Sequence, residues 1–145
     1  MAYEYGLSNI KNAFLRSVEI YDPLINTWQL VASMLLARSG AAIAAVNECF
    51  YIVGGYNGET QQNSVEQYDY QTNTWTSVRP MHFKRSALSA VTFEEKVYAL
   101  GGYDGDKFHG TMEVYNPKDD KWELLSVSSI ARSGAGVAVG WKPYS

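Results

Sequence analysis

The chain is poor in cysteine, in excess positive charge and in long apolar runs. Cys49 is the single cysteine among 145 residues, so an internal disulfide is excluded, and a lone thiol favours a reducing, cytoplasmic setting. The longest apolar run, residues 41–46, has six residues, against about 20 for a membrane-spanning helix. The basic-then-apolar pattern of a secretory signal is not visible. With 12 Lys and Arg against 15 Asp and Glu, the charge balance argues against nucleic acid or an anionic membrane as the main partner.

Histidine is also scarce. His82 and His109 lie 27 residues apart, and neither is spaced for metal binding with Cys49, so both are predicted to be isolated, solvated side chains. No nucleophile–base pair and no phosphate-binding loop is visible. We therefore expect no metal, no cofactor and no enzymatic activity.

What the chain does contain is a repeat of 47 residues. Trp28, Trp75 and Trp122 recur at this interval without any insertion. Four further sets share the spacing: Glu19, Glu66 and Glu113; Tyr21, Tyr68 and Tyr115; Arg38, Arg85 and Arg132; and Gly54-Gly55 with Gly101-Gly102. A fixed period of this length is typical of one supersecondary unit that is stacked several times.

Each full repeat contains four short segments with strand character. The first is continuously apolar, the second is β-branched and aromatic and stops at a glycine pair, and the last two alternate apolar with polar residues. The predicted strands are residues 40–46, 50–53, 64–69 and 74–78, then 87–92, 97–100, 112–115 and 121–125. Four antiparallel strands in about 45 residues are typical of a β-propeller blade, so the predicted fold class is all-β.

The order of these motifs resembles the Kelch repeat. In one copy it comprises Arg38-Ser39-Gly40, residues 51–58 with the glycine pair, residues 65–69 and Asn73-Thr74-Trp75. The resemblance covers residues 17–140 and is greatest to the C-terminal half of the propeller of BTB–Kelch (Kelch-like) substrate adaptors. It implies Kelch-type blades of four antiparallel strands. Three blades' worth of sequence is present, which is half of a six-bladed ring.

The first and last copies are incomplete. The predicted organisation is a degenerate N-terminal segment 1–16, a partial repeat 17–37, full repeats 38–84 and 85–131, and a closing strand with its tail, 132–145. Residues 3–7 are the expected degenerate second strand of the first copy. Three blades are too few for a ring, since propellers have about four to eight. Either two chains assemble head to tail into a six-bladed homodimer, or the chain is half of a longer protein.

The side chains locked to the repeat have structural and functional interpretations. The three tryptophans are predicted to pack between adjacent blades, and the glutamate and tyrosine sets to fix the strands. Arg38, Arg85 and Arg132 lie in the connections between blades. They either bind the carboxylate or phosphate of an acidic partner or make hydrogen bonds between blades.

The neighbouring loop positions are candidates for partner binding by resemblance. In the Kelch-like oxidative-stress sensor, the peptide-contacting face uses the serine after this arginine, the aromatic after the glycine pair and the residue five further on. The resemblance places this face on Ser39, Ser86, Ser133, Tyr56, Tyr103, Gln61 and Phe108. Exposed aromatic side chains on rigid loops are frequent interface anchors.

The predicted function is therefore non-catalytic binding of a partner peptide, an acidic one, on the loop face. The resemblance to BTB–Kelch proteins implies recruitment of substrates to a cullin-RING ubiquitin ligase. The alternative partner is the actin cytoskeleton, which several Kelch proteins bind. Copper radical oxidases and sialidases also use propellers, but two dispersed histidines cannot form a copper site.

Overall fold

The computed structural model describes residues 14–125 and 130–140, and this part of the chain contains ten β-strands and no helix. The strands are β1 Val18–Asp22, β2 Thr27–Val31, β3 Ala42–Val46, β4 Cys49–Val53, β5 Val65–Asp69, β6 Thr74–Val78, β7 Ser89–Phe93, β8 Lys96–Leu100, β9 Met112–Asn116 and β10 Lys121–Leu125. The predicted all-β class is confirmed. The eight strands predicted for the two full repeats are present, with ends shifted by two residues at most.

The strands form one antiparallel sheet per repeat. Sheet 1 is β1 and β2, sheet 2 is β3 to β6, and sheet 3 is β7 to β10, each in chain order. The last hairpin of every sheet has the same register, with these facing pairs: Tyr21 and Trp28, Tyr68 and Trp75, Tyr115 and Trp122. The 47-residue period therefore repeats the pairing of side chains as well as the order of strands.

The tight turns of these hairpins depend on one residue in the left-handed region. Asn26, Asn73 and Asp120 have φ of 52°, 52° and 47°, which asparagine and aspartate adopt more readily than most residues. The side chain of Asn73 also stabilises its turn, because its Oδ1 accepts a hydrogen bond of 2.9 Å from the hydroxyl of Tyr68. The turn predicted around Asn73 is confirmed.

The glycine pair allows the chain to pass close to the next connection. Gly54 and Gly55 have φ of 65° and 105°. A Cβ on Gly54 would lie 2.4 Å from the carbonyl oxygen of Arg85, and one on Gly55 would lie 2.9 Å from that of Ser39. Both the backbone angle and the space require glycine here.

Sheet 2 lies between the other two sheets, and each neighbouring pair buries an apolar cluster. The cluster between sheets 1 and 2 contains Ile20, Met34, Ile52, Tyr68 and Trp75. The cluster between sheets 2 and 3 is larger, with Ala44, Val46, Tyr51, Val53, Val65, Met81, Leu88, Val97, Ala99, Tyr115 and Trp122. The sheets thus pack side by side through their broad faces, as propeller blades do.

The predicted packing of the tryptophans is confirmed for two of the three. The indole of Trp75 donates to the carbonyl oxygen of Ala32 at 2.7 Å, and that of Trp122 donates to the carbonyl oxygen of Arg79 at 2.8 Å. Each ring therefore contacts the end of the preceding sheet. Trp28 is 43% exposed, because no sheet precedes sheet 1 in the part of the chain that the structure describes.

The C-terminal segment 130–140 crosses the outer side of sheet 3. The backbone N–H of Gly102 donates to the carbonyl oxygen of Arg132 at 2.9 Å, and that of Gly134 donates to the carbonyl oxygen of Ala87 at 2.7 Å. No strand is assigned within 130–140, since a strand needs a paired neighbour and sheet 3 is already complete with β7 to β10. The closing strand stays a prediction. Its expected neighbour, residues 3–7, lies outside the described residues.

Candidate protein-binding face

One end of the sheets is formed by long loops. The loops 54–64 and 101–111 join the second strand to the third, and the connection 79–88 joins sheet 2 to sheet 3. In an antiparallel sheet these connections meet at the same end, while the tight hairpin turns lie at the other. We call the end formed by these segments and by the connection 32–41, which joins sheet 1 to sheet 2, the loop face.

The predicted residues form the same small arrangement on both full repeats. Ser39 and Tyr56 exchange backbone hydrogen bonds of 2.9 and 2.8 Å, and Tyr56 also bridges to Gln61. In the next repeat Ser86 bridges to Tyr103 and Tyr103 to Phe108. The serine, the aromatic and the third residue are thus fixed side by side by backbone bonds.

Between the two repeats the loop face is concave. A cavity of about 330 Å³ is lined by Ser39, Gly40, Tyr56, Gln61, Ser86 and Ala87. Four predicted binding residues therefore surround one space, although they come from three separate loop segments. The cavity offers hydroxyl and amide groups beside an aromatic ring.

Tyr103 and Phe108 form an aromatic pair beside this cavity. Their ring centroids are 5.1 Å apart with planes at 44°, and Phe108 is 55% exposed. The hydroxyl of Tyr103 donates to the carbonyl oxygen of Gly105 at 2.7 Å, which fixes the ring. The exposed ring of Phe108, held beside the half-buried ring of Tyr103, presents contact area at little cost in side-chain entropy.

Phe14 is a member of this face that was not predicted. It lies 47 residues before Gln61, so the repeat itself marks the position. Its ring meets that of Tyr56 edge-on, with centroids 5.7 Å apart. Gln61 occupies the matching place in the next repeat, since a Cβ on Gly105 would lie 2.7 Å from its Oε1. This position therefore contacts the following loop in both copies.

The interpretation of Arg38 and Arg85 as partner-binding residues is wrong, because both side chains are buried. Arg38 donates to the carbonyl oxygens of Gly54 at 2.6 Å and Ser64 at 3.0 Å, and to the Glu66 carboxylate at 2.6 Å. Arg85 makes the equivalent contacts. Its Nη1 donates to the carbonyl oxygens of Gly101 and Thr111, its Nη2 donates to the Thr111 hydroxyl, and Nε and Nη2 both donate to the Glu113 carboxylate. These arginines hold the connection against its sheet.

The glutamates of the repeat complete the same networks, as predicted. Oε2 and Oε1 of Glu66 accept the backbone N–H groups of Leu35 and Leu36 at 2.6 and 3.1 Å. Glu113 is equally buried and accepts the backbone N–H of His82 at 2.7 Å. Each carboxylate thus ties the connection and the arginine to the third strand of its own sheet.

Arg132 and Ser133 lie at the outer edge of the described chain and are exposed. Of the three arginines of the repeat, Arg132 alone has an exposed side chain. The expectation of an acidic partner depended on a ring of three guanidinium groups. With two of them buried against their own carboxylates, the ring is not formed and that expectation loses its basis.

The prediction that both histidines are solvated is wrong for His109. Its side chain is buried beside Phe83, with ring centroids 5.2 Å apart. Its Nε2 lies 2.9 Å from Oδ2 of Asp104, but without the angle of a hydrogen bond. Burial, helped by the positive charge of Arg85, lowers the pKa of His109 below its ordinary value of 6.5. His82 is exposed, and its Nδ1 lies 2.8 Å from the Glu113 carboxylate.

The lowered pKa makes the stability of the fold pH-dependent. The unfolded chain binds a proton at His109 more tightly than the folded chain does, so stability is full above pH 6.5 and falls as pH drops below it. His109→Gln, which copies Gln62 of the preceding repeat, should flatten this dependence. Melting temperatures measured between about pH 7.5 and about pH 5.5 check it. Parallel curves for the two proteins would contradict the assignment.

Within 14–125 and 130–140, nothing helical could span a bilayer, and no group of three or more His, Cys, Asp or Glu is placed to hold a metal ion. The loop face is the part of the described chain that brings the predicted residues together.

Comparison with known proteins agrees with the repeat. The Kelch motif matches residues 5–35, 37–82 and 84–126. Kelch-like protein 1 of Mus musculus is 37% identical over 57 residues, which are 39% of this chain and 8% of that protein. Kelch-like protein 5 of Homo sapiens is 35% identical over 57 residues, with the same shares of 39% and 8%. The chain thus aligns with a small part of each relative.

A solved structure supports the fold. The structure of YjhT superposes with a TM-score of 0.73 on 82% of this chain and 48% of its own, at 16% sequence identity. Identity this low supports the fold alone. The repeat resemblance predicted from the sequence is confirmed by these matches.

Proposed function

The chain belongs to the Kelch-repeat family, and from that premise we propose that its loop face binds a short segment of a partner protein. Kelch repeats and Kelch-like relatives support a protein-interaction module. The observation that carries the choice of face is the repeated loop unit, in which Tyr56 and Tyr103 each bridge to two neighbours. The serine and the tyrosine of this unit are the same in both repeats. The residue five positions after the tyrosine differs, being Gln61 in one repeat and Phe108 in the next.

The chemistry of the face favours a segment with both apolar and polar groups. An apolar side chain of the partner would pack on Tyr103 and Phe108. Hydroxyl groups of Ser39 and Ser86 and the amide of Gln61 would hydrogen bond its backbone, since they surround the cavity. None of these five side chains requires an acidic group on the partner. Ser133 is the equivalent of Ser39 and Ser86 in the following copy of the repeat and is also exposed.

The finer role we propose is substrate recognition linked to a cullin-RING ubiquitin ligase, in the cytoplasm. Support comes from the resemblance of the repeats to BTB–Kelch adaptors and from the Kelch-like relatives. In such an arrangement these repeats would supply the contact with substrate, and other segments would supply the contact with the ligase.

Phe108→Ala and Tyr103→Ala should each weaken partner binding about 30-fold or more, the effect of losing a hot-spot side chain of about 2 kcal/mol. Thermal stability should change little for Phe108→Ala, because its ring is 55% exposed. Quantitative affinity capture from cell extract, repeated by calorimetry with the purified partner, measures the effect.

Tyr70→Ala is the matched control, because Tyr70 is also an exposed aromatic, at 53%, but lies in a hairpin turn at the opposite end of sheet 2. It should bind as the unmodified chain does. Equal capture by the Phe108 and Tyr70 variants would overturn the proposed face.

A further inference from the structure

Among the asparagines of the sequence, Asn57 alone is followed by glycine. Asn57 and Gly58 lie in loop 54–64 of the loop face, directly after Tyr56. The carbonyl carbon of an asparagine side chain is a weak electrophile, and the backbone nitrogen of the next residue is the nucleophile nearest to it along the chain. Asparagine is accordingly a thermolabile residue. Access to the amide and the groups around it decide whether a given asparagine reacts.

The backbone nitrogen of Gly58 is open to attack on its neighbour. Gly58 has no side chain that could shield it, and its φ of 101° lies in a region that side chains rarely adopt. A Cβ on Gly58 would lie 2.6 Å from the ring of Phe14, so the loop requires glycine at this place. Within the part of the chain that the structure describes, the N–H of Gly58 donates to no acceptor. The nucleophile therefore has no hydrogen bond to lose there.

The side-chain carbonyl of Asn57 is polarised by two donors. Its Oδ1 accepts the backbone N–H groups of Glu59 at 3.0 Å and Thr60 at 2.9 Å. These bonds draw electrons away from Cγ and would stabilise the negative charge that forms on Oδ1 when a nucleophile adds, as the donors of an oxyanion hole do. Asn57 is exposed, so water and hydroxide reach its side chain. The amide is thus both activated and accessible.

Asn73 has the same kind of polarised amide but a different neighbour. Its Oδ1 accepts the hydroxyl of Tyr68 at 2.9 Å and the backbone N–H of Ala32 at 2.9 Å. The next residue, Thr74, begins β6, and its branched Cβ crowds its own backbone nitrogen. Asn57 therefore combines an activated amide with an unshielded nucleophile, whereas Asn73 has the activated amide only.

The next repeat shows that an aspartate fits at this position of the loop. Asp104 lies 47 residues after Asn57 and is also followed by a glycine, Gly105. Oδ1 of Asp104 accepts the backbone N–H groups of Asp106 and Lys107, both at 2.9 Å. This is the pattern that Oδ1 of Asn57 makes in its own loop. A carboxylate at position 57 would therefore keep both bonds of the turn.

We propose that Asn57 is a site of spontaneous deamidation in the folded protein, and that the aspartate product keeps the fold. The nitrogen of Gly58 loses its proton and bonds to Cγ of Asn57, the Cγ–Nδ2 bond breaks, and Nδ2 leaves as ammonia with that proton. Water then opens the resulting five-membered succinimide ring. Opening at Cγ leaves an aspartate, and opening at the backbone carbonyl leaves an isoaspartate. In sum, an amide and a water become a carboxylic acid and ammonia.

The reaction changes the charge of the loop face. It replaces a neutral amide with a carboxylate and makes the formal net charge of −3 more negative by one. The site lies against a proposed binding residue, because the hydroxyl of Tyr56 donates to the carbonyl oxygen of Gly58 at 2.9 Å and Tyr56 lines the cavity. A partner segment with acidic groups near Tyr56 would then bind more weakly, a consequence that rests on the proposed function.

Peptide mass spectrometry tests the site, on purified chain incubated at physiological temperature. Asn57 should be converted to aspartate and isoaspartate, while Asn73 in the same sample keeps its amide. The rate at Asn57 should rise several-fold for each pH unit above neutral, because the attacking nitrogen must lose its proton. Asn57→Gln should keep its amide, since glutamine must close a larger ring. Asn57→Asp should melt as the unmodified chain does.

The proposal fails if the amide of Asn57 lasts as long as that of Asn73, or if conversion occurs only after the chain is unfolded in urea. A lower melting temperature of Asn57→Asp would likewise overturn it, because the product would not keep the fold. None of these measurements involves a partner, so their failure leaves the proposed function standing. If Phe108→Ala fails to weaken partner capture, the proposed face is rejected and the deamidation site is unaffected.

Discussion

Arg85→Met is expected to lower the free energy of unfolding by about 3–5 kcal/mol, the range for breaking a buried ion pair by removing one partner. The change leaves the carboxylate of Glu113 buried without its cation and removes the donors to the carbonyl oxygens of Gly101 and Thr111, now bonded at 2.6 and 3.1 Å. Because Arg85 and Glu113 are both fully buried, water cannot replace these bonds. Urea unfolding measures the loss.

A double variant separates the ion pair from simple loss of packing. Arg85→Met with Glu113→Leu removes both charges, and we expect it to be less destabilised than Arg85→Met alone, because no unpaired charge stays buried. Lys118→Met, at an exposed pair with Glu95, should have little effect. A loss below about 1 kcal/mol for Arg85→Met would show that this network is not buried as described.

Trp122→Ala is expected to cost about 3–5 kcal/mol, the range for deleting a large ring from a core. The indole is buried, stacks near Tyr115 with centroids 5.1 Å apart, and donates to the carbonyl oxygen of Arg79. Its loss opens a cavity between sheets 2 and 3 and leaves that carbonyl without its partner. Thermal unfolding of the purified variant provides the value.

Trp28→Ala is the comparison, made in the otherwise unmodified chain. Trp28 occupies the same position of the repeat but is 43% exposed, so its removal should cost about 1 kcal/mol or less. If the two tryptophan variants lose equal stability, the indoles do not act as contacts between successive sheets.

Much of the fold could be predicted because local and repeated signals agree. The hairpin of β5 and β6 alternates apolar and polar residues, and Asn73 suits the left-handed turn between them. The glycine pair at 54 and 55 is required by the approach of two backbone carbonyls. These features depend on residues within one period, so the period was sufficient to place them.

Burial of the polar residues could not be predicted in the same way. The sequence gives the same arginine at positions 38, 85 and 132, and an arginine at a loop is equally suited to a partner or to a buried carboxylate. Only the fold brings Glu66 and Glu113 within reach, 28 residues later in each case. Arg132, the third of these arginines, is exposed in the described chain.

Three further differences have local causes. His109 is buried, but the equivalent position of the preceding repeat is Gln62. The repeat therefore did not predict a buried histidine at this position. Phe14 was overlooked because it precedes the first recognisable motif, although its spacing from Gln61 marks it. Trp28 is exposed because burial of this indole requires a preceding sheet, which no property of the residue itself reveals.

The claim that the loop face binds the partner is tested most directly by a hydrogen-exchange footprint of the complex with the captured and purified partner. We predict slower exchange on binding in loops 56–62 and 103–109, where the described residues form the cavity and the aromatic pair. The hairpin turns 70–73 and 116–120, at the opposite end of sheets 2 and 3, should be unchanged. Protection confined to those turns would contradict the account.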